Sequence, residues 1–293
     1  MKEPVFTGAA TAVVTPFRNG EIDFPAFEHI LEQQLEAGIR AIVVCGTTGE
    51  ASTLTPEERT LLISNAVVCC AGRCKVIAGI GTNNTAQSVR YAKQAEKAGA
   101  DALLAVTPYY NKASQEGLAV HYFTIANATS LPLIAYNVPS RTGVNLTAET
   151  CARLSPHPRI NGVKEASGNL SQVAHIRALC GEDFYIWSGN DDQITATMSL
   201  GGKGLISVLS NVRPRTAVRI AECCLNGDFA ESSRLQCACL PLVDALFSDV
   251  NPIPVKAALE ELGLCAQELR LPLTPLSEEK RTILRAALHR CPE

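Results

Sequence analysis

The sequence predicts an α/β fold: a (β/α)8 TIM barrel with a C-terminal three-helix appendage. Three observations carry this expectation. Eight short apolar runs recur along the chain, each followed by a turn signal and then a helical pattern. The runs are continuously apolar rather than alternating, which suits parallel strands covered by helices. The repeat averages about 28 residues, the size of one strand–helix unit, and 293 residues leave room for an addition.

The eight runs are Gly8–Val14, Ala41–Cys45, Lys75–Ile80, Ala102–Val106, Leu131–Tyr136, Ile160–Lys164, Phe184–Trp187 and Gly204–Val208. Between them the apolar spacing becomes helical. Phe24 to Ala37 carries apolar residues at Phe24, Phe27, Ile30, Leu31 and Leu35 and stops at Gly38, a suitable C-terminal cap. Thr55-Pro56-Glu57-Glu58 opens the next helix: Thr55 caps it, Pro56 fits the first turn and Glu58 completes a capping box. Residues 84–98, 115–128, 147–154, 169–179, 191–200 and 212–225 supply the remaining barrel helices. Asp228–Phe247, Ile253–Leu262 and Ser277–Leu288 read as the appendage, with Pro272 and Pro275 in a linker. The expected division is a catalytic barrel over residues 1–225 and a helical domain over 226–293. A doubly wound open sheet is the alternative, because periodicity does not give strand order.

Composition removes several classes of function. The chain is 46% apolar and 19% charged, as globular proteins are, and its net charge of -3 gives no electrostatic footing for nucleic acid. No apolar stretch is long enough for a membrane span, and Met1 to Phe6 lacks the apolar core of a secretory leader, so a cytoplasmic protein is expected. The twelve cysteines form no facing CxxC pairs, and the five histidines form no HExxH cluster, so no metal is expected. Most cysteines fall in apolar helical patterns and read as small hydrophobes of a reducing compartment.

In such a barrel the chemistry sits where strands end and loops begin. That rule selects Gly46-Thr47-Thr48-Gly49-Glu50 after the second run, Thr107–Asn111 after the fourth, Tyr136–Gly143 after the fifth and Lys164 at the end of the sixth. Burial would lower the pKa of Lys164 and make it a neutral nucleophile able to form a Schiff base. Pairing with a carboxylate, or a stem reaching back to solvent, is the structural alternative. Tyr136 lies about 28 residues earlier, one barrel unit, so the two should stand side by side on neighbouring strands. Beside a neutral lysine, Tyr136 is a proton-transfer candidate; alone, it reads rather as a core aromatic with a tethered hydroxyl. The glycines, hydroxyls and N–H groups of Gly46–Gly49 suit a small carboxylate, or simply a polar turn. Arg141 offers a planar fork to a carboxylate, or a surface ion pair. Asn190-Asp191-Asp192 reads as a cap on the seventh helix rather than a metal site. Gly201–Gly204 lacks the spacing of a phosphate loop and reads as a turn into the eighth strand. Glu165 should point to the opposite side of its strand from Lys164.

Together, Gly46-Thr47-Thr48-Gly49-Glu50-Ala51, Thr107–Asn111, Tyr136–Gly143 and the Lys164 segment resemble the dihydrodipicolinate synthase family, among the pyruvate-dependent class I aldolases that include N-acetylneuraminate lyase. The resemblance runs from Gly8 to the C-terminal helices. It implies a lyase of lysine and diaminopimelate biosynthesis, condensing pyruvate with L-aspartate 4-semialdehyde, with no cofactor. Lys164 matches the Schiff-base lysine and Tyr136 the proton donor and acceptor. Thr47 and Tyr110 match the rest of the proton relay, with Tyr110 reaching in from a neighbouring subunit. Thr48 and the backbone of Ile206 match the pyruvate pocket, and Arg141 matches the residue that receives the semialdehyde carboxylate. The assembly implied is a homotetramer, a dimer of dimers. Another pyruvate-dependent aldolase, acting on a keto-sugar acid or hydroxy-oxoglutarate, is the nearest alternative; a metal-dependent barrel hydrolase and a non-catalytic keto-acid-binding barrel are more distant ones. Members inhibited by lysine use histidines and a glutamate where this chain has Pro56, Arg59 and Gln87, although Asn83 and Tyr109 are kept. Lysine inhibition is therefore expected to be weak or absent.

Overall fold

A computed structural model describes residues 2–291 and 293. Eight parallel strands close into a barrel: β1 (Gly8–Ala12), β2 (Ala41–Val44), β3 (Lys75–Gly79), β4 (Ala102–Val106), β5 (Leu133–Asn137), β6 (Ile160–Glu165), β7 (Tyr185–Ser188) and β8 (Gly204–Ser207). Each pairs with its neighbours in sequence, and β1 closes the ring against β8 through Gly8↔Gly204 to Thr11↔Ser207. The closed ring, with sequential order, excludes the open doubly wound sheet.

The helices between strands are α1 (Phe24–Glu36), α2 (Pro56–Cys70), α3 (Thr85–Lys97), α4 (Gln115–Asn127), the single turn α5 (Pro139–Thr142), α6 (Ala148–Leu154), α7 (Leu170–Cys180), α8 (Ile194–Ser199) and α9 (Pro214–Leu225). The cap at Thr55 forms as the sequence requires: its N–H donates to Glu58 at 2.8 Å and its hydroxyl accepts from the Glu58 N–H at 3.2 Å. Two small elements were not expected. A hairpin joins Phe17–Arg18 to Glu21–Ile22 through Asn19-Gly20, both at positive φ, a turn signal available in the sequence. The other is α5, too short for periodicity to reveal.

Alternation along the strands sorts side chains into two cores. Inside the barrel lie Ala10, Ala12, Ala41, Val43, Ile77, Ala102, Leu104, Ile134, Tyr185, Trp187 and Ile206. Small residues on β1 and β2 face the large rings of β7, and Phe6 stacks on Trp187 with centroids 5.3 Å apart, plugging the floor. The larger core lies between strands and helices, where Ile42, Val44, Val76, Leu103, Val163 and Leu205 meet Leu31, Leu62, Tyr122 and Ile220. Helices α10 (Phe229–Leu246), α11 (Ile253–Glu261) and α12 (Glu278–Arg290) add Leu235, Leu242, Val255, Leu259 and Leu284 to that same core. No helix among the described residues is long and apolar enough to cross a membrane.

Candidate active site

The C-terminal mouth of the barrel holds a cavity of about 160 Å³ walled by Thr47, Thr48, Tyr136, Arg141, Lys164 and Asn251, among others. A wider recess of about 460 Å³ opens beside it and shares Thr47, Tyr136, Arg141 and Asn251. Strand register creates the centre: Tyr136 on β5 pairs with Lys164 on β6, and Asn137 pairs with Glu165 one step later. The first pair faces the barrel interior, where Lys164 Nζ lies 4.4 Å from the Tyr136 ring centroid. The second faces the helices. There Glu165 accepts from Asn137 Nδ2 (3.0 Å), Gln172 Nε2 (3.0 Å) and the Ser167 N–H (2.7 Å), so its charge is satisfied away from Lys164. The expected separation of Glu165 from Lys164 holds for this reason.

Lys164 is 6% exposed. Burial lowers its pKa from 10.5 to about 8; the Asp191 carboxylate opposes this and the Arg141 cation adds to it. About a tenth of such an amine is neutral at pH 7, far more than for an ordinary lysine. Its stem needs the glycine opposite: a Cβ on Gly189 would lie 2.7 Å from Ala166 Cβ and 3.0 Å from Lys164 Cε. Burial also raises the Tyr136 pKa, while the Arg141 charge and a hydrogen bond with the Thr47 side chain pull it back.

Thr47 and Thr48 ride on the loop after β2, which starts with Cys45 at φ 56°, a left-handed backbone uncommon for a residue with a side chain. Thr48 is buried and accepts from Asn251 Nδ2 at 3.0 Å, which leaves its own hydroxyl proton free to donate. Glu50 ends the loop and is buried against Lys256, Oε1 to Nζ 2.5 Å, while the Arg270 N–H reaches Oε2 at 3.1 Å. The same lysine sits 4.2 Å over the Phe17 ring and donates to the Glu268 carbonyl at 2.6 Å. The C-terminal helices and their linker thus fix the threonine loop from above.

Five of the seven residues singled out from sequence, Thr47, Thr48, Tyr136, Arg141 and Lys164, line this mouth. Ile206 is a buried side chain of the barrel interior, in the same apolar cluster as Tyr136. Arg141, on α5, is exposed at the rim. Tyr110 stands apart: it is 84% exposed, at φ 77°, and lines neither the cavity nor the recess of its own chain.

The capping role expected of Asn190-Asp191-Asp192 is corrected. Residues 191–193 form a 3-10 turn before α8 without a side-chain cap. Asp191 instead accepts from the N–H groups of Val208 (2.9 Å) and Leu209 (2.8 Å), at the end of β8. It is 2% exposed, and burial raises its pKa despite hydrogen bonds from Ser207, Leu209 and Val208 and the Lys164 charge. Sequence reasoning also missed Asn251 and Lys256, which lie some two hundred positions from the residues they hold. Nothing local marks them.

The described residues contain no group of three or more His, Cys, Asp or Glu placed to hold a metal ion. What the mouth offers is a buried amine of depressed pKa, a phenol beside it, two hydroxyls and a rim guanidinium. That set can form an imine with a small keto acid and move protons on and off it.

Comparison with known proteins agrees with this chemistry. The family model described as the dihydrodipicolinate synthetase family matches residues 5–291. The chain is similar to the 4-hydroxy-tetrahydrodipicolinate synthase of Alkaliphilus oremlandii, with 51% identity over 94% of this chain and 96% of that protein. Among solved structures it is similar to a monomeric dihydrodipicolinate synthase variant, with TM-score 0.96, 44% identity and coverage of 98% and 97% of the two chains. It is also similar to the chloride-inhibited dihydrodipicolinate synthase of Acinetobacter baumannii complexed with pyruvate, with TM-score 0.96, 41% identity and coverage of 98% and 99%. A barrel of this order, a lysine–tyrosine pair at its mouth and likeness over nearly the whole length place the chain: it belongs to the dihydrodipicolinate synthetase family.

Proposed function

We propose that this lyase condenses pyruvate with L-aspartate 4-semialdehyde to give 4-hydroxy-tetrahydrodipicolinate, with the intermediates held on Lys164. The observation that carries the reading is the register pairing of Tyr136 with a buried Lys164 of depressed pKa. The neutral amine attacks the pyruvate ketone. Tyr136 delivers a proton to the carbinolamine oxygen, water leaves, and a protonated imine remains. That imine is an electron sink, so a methyl proton is lost and an enamine forms. The enamine carbon attacks the semialdehyde carbonyl, whose oxygen takes up a proton and becomes the hydroxyl. The substrate amine then attacks the imine carbon, closes the ring and releases Lys164.

Thr48, fixed by Asn251, offers its hydroxyl to the pyruvate carboxylate, and the backbone of Ile206 forms another part of that pocket. Arg141 receives the semialdehyde carboxylate at the rim. Thr47 links the Tyr136 hydroxyl outward. Tyr110 completes the relay from a neighbouring subunit in a homotetramer; its exposure and strained backbone support a role outside its own chain.

The testing experiment is borohydride reduction in the presence of pyruvate, followed by peptide mass mapping. A stable adduct on Lys164, absent from a Lys164→Ala variant, is expected. No adduct, or an equal yield in the variant, overturns the Schiff-base reading. Turnover of a keto-sugar acid or hydroxy-oxoglutarate in preference to the semialdehyde would move the chain to another pyruvate-dependent aldolase.

A further inference from the structure

The condensation uses none of the twelve cysteines, all of which stand as thiols. Two of them meet at the end of the C-terminal appendage. Cys239 lies in the second half of α10 and Cys291 immediately follows α12; their sulfurs are 3.4 Å apart. Bonded sulfurs lie about 2 Å apart, so closing the gap takes little more than an ångström of movement. The packed helices bring together two positions separated by 52 in the sequence.

The surroundings of the two thiols differ. Arg213 is buried beside the end of α12, where its guanidinium donates to the carbonyls of Leu288 (2.5 Å) and Cys291 (3.4 Å). The hydrogen bond with Cys239 does most to favour a thiolate at Cys291, burial opposes it, and the Arg213 charge adds to it. Cys239 is 1% exposed, and its hydrogen bond with Cys291, together with burial, pushes its pKa up. Cys291, at 6%, is the more accessible of the two. The two sulfurs therefore face each other, with Cys291 the nearer to solvent.

We propose that Cys239 and Cys291 form a redox-active dithiol that closes to an intramolecular disulfide when a hydroperoxide reaches the end of α12. The Cys291 thiolate attacks the peroxide oxygen and breaks the O–O bond, giving a sulfenic acid and hydroxide or alkoxide, which takes up a proton. The Cys239 sulfur then attacks the sulfenic sulfur, breaks its S–O bond and forms the S–S bond, and water leaves. In sum, two thiols lose two electrons and two hydrogens, while the peroxide is reduced to water and, for an alkyl peroxide, an alcohol. The bond ties the segment just past α12 to α10 across a long loop, which stabilises the folded form. Arg213 follows the turn whose Leu209 N–H holds Asp191, so this clip lies behind the β8 wall of the active site.

The test treats the full-length reduced protein with hydrogen peroxide, alkylates the remaining thiols in denaturant, and maps peptides without reduction. A cross-linked Cys239–Cys291 peptide is expected, reversed by dithiothreitol and accompanied by a rise in Tm of several degrees. Exposed Cys237, two residues from Cys239, reports that oxidant has reached the helix. A Cys291→Ser variant should lose the cross-link, while Cys237→Ser should keep it. Continued alkylation of both Cys239 and Cys291 once Cys237 is oxidised overturns the proposal. So does a disulfide confined to Cys70 and Cys74, the other close thiol pair at 3.5 Å. Both readings come from the wild-type chain, so they stand even if a variant folds poorly.

Discussion

Tyr136 and Lys164 occupy opposed positions on adjacent parallel strands, with the lysine nitrogen 4.4 Å from the centre of the tyrosine ring. The pairing is a property of the barrel rather than of a flexible loop, so both groups are positioned before substrate arrives. Tyr136→Phe keeps the ring and removes the proton. We expect kcat to fall by roughly a hundredfold or more, the usual worth of a positioned acid–base group, with little change in Tm. The pyruvate adduct should still be trapped, but more slowly. A near-normal kcat would remove Tyr136 from the relay.

Asp191 and Arg141 act on Lys164 with opposite signs, which makes the pH profile diagnostic. Attack requires the neutral amine, so kcat/KM should rise with pH and level off above about 8. Asp191→Asn removes the charge that favours the ammonium, so the rising limb should move to lower pH. Arg141→Ala removes a charge that disfavours it, so the limb should move up, with a higher KM for the semialdehyde. Stability provides a separate reading. Between pH 8 and 10.5 the unfolded chain holds a proton on Lys164 that the folded chain has lost. Stability from this group is therefore lowest below pH 8 and rises through that window, by roughly 3 kcal/mol in all. The urea midpoint of the wild type, measured against Lys164→Met, should climb between those two pH values; a flat difference would mean an unperturbed lysine.

The strands, and the candidate site residues at their ends, were legible because each lies inside a short contiguous pattern. Lys164 closes an apolar run, and Tyr136 precedes it by one barrel unit. Even the side on which Glu165 lies followed from strand alternation. Asp191 was misread because an Asn-Asp-Asp run before a helical pattern looks like a cap, whereas its partners are backbone groups of the next strand's end. Asn251 and Lys256 reach the site only through tertiary packing, and a Pro-rich stretch after the barrel carries no sign of that. Tyr110 is singled out by resemblance alone; it lines neither the cavity nor the recess of its own chain.

Glu50 and Lys256 are 1% and 0% exposed, so neither charge has water to fall back on. Lys256→Met should leave Glu50 buried without its ion partner and cost roughly 3–5 kcal/mol in urea unfolding. Adding Glu50→Gln should recover a good part of that loss, because the uncompensated charge is then gone. Asn251→Ala tests the other anchor of the loop. It should raise the KM for pyruvate by freeing Thr48, while stability changes by only about 1 kcal/mol, the worth of one hydrogen bond. Equal losses for the single and double variants at Glu50 and Lys256 would show that packing, not charge, holds the loop.

Lysine should be a poor inhibitor. Arg59 is 4% exposed; its guanidinium donates to the carbonyls of Ala51 and Gly79 and lies 4.2 Å over the Tyr91 ring. It walls the wider recess with a fixed positive charge. Gln87, where sensitive relatives of the resembled family carry a glutamate, is occupied by Arg90 at 2.7 Å. A ligand ammonium entering there meets the Arg59 cation, and the one carboxylate in the wall, Glu50, is already held by Lys256 and the Arg270 N–H; a desolvated charge without a partner is costly. Steady-state rates with pyruvate and semialdehyde held near KM should be unchanged by lysine well below the millimolar range. Half-inhibition in that range would show that other groups receive the ammonium.

Tyr110 gives a test of subunit exchange. Tyr110→Phe and Lys164→Ala should each be nearly inactive alone, the first for want of a relay and the second for want of a nucleophile. If Tyr110 serves the neighbouring site, a mixed dimer contains one site with an intact Lys164 and an intact Tyr110. Random reassociation of equal amounts after mild unfolding should then restore about a quarter of wild-type activity, because half of the dimers are mixed and each has one complete site. A Tyr110 that acted within its own chain would restore nothing, since neither chain carries both residues. The 84% exposure of the ring favours the first outcome, because a side chain that must deliver protons to a buried phenol does not do so from open solvent.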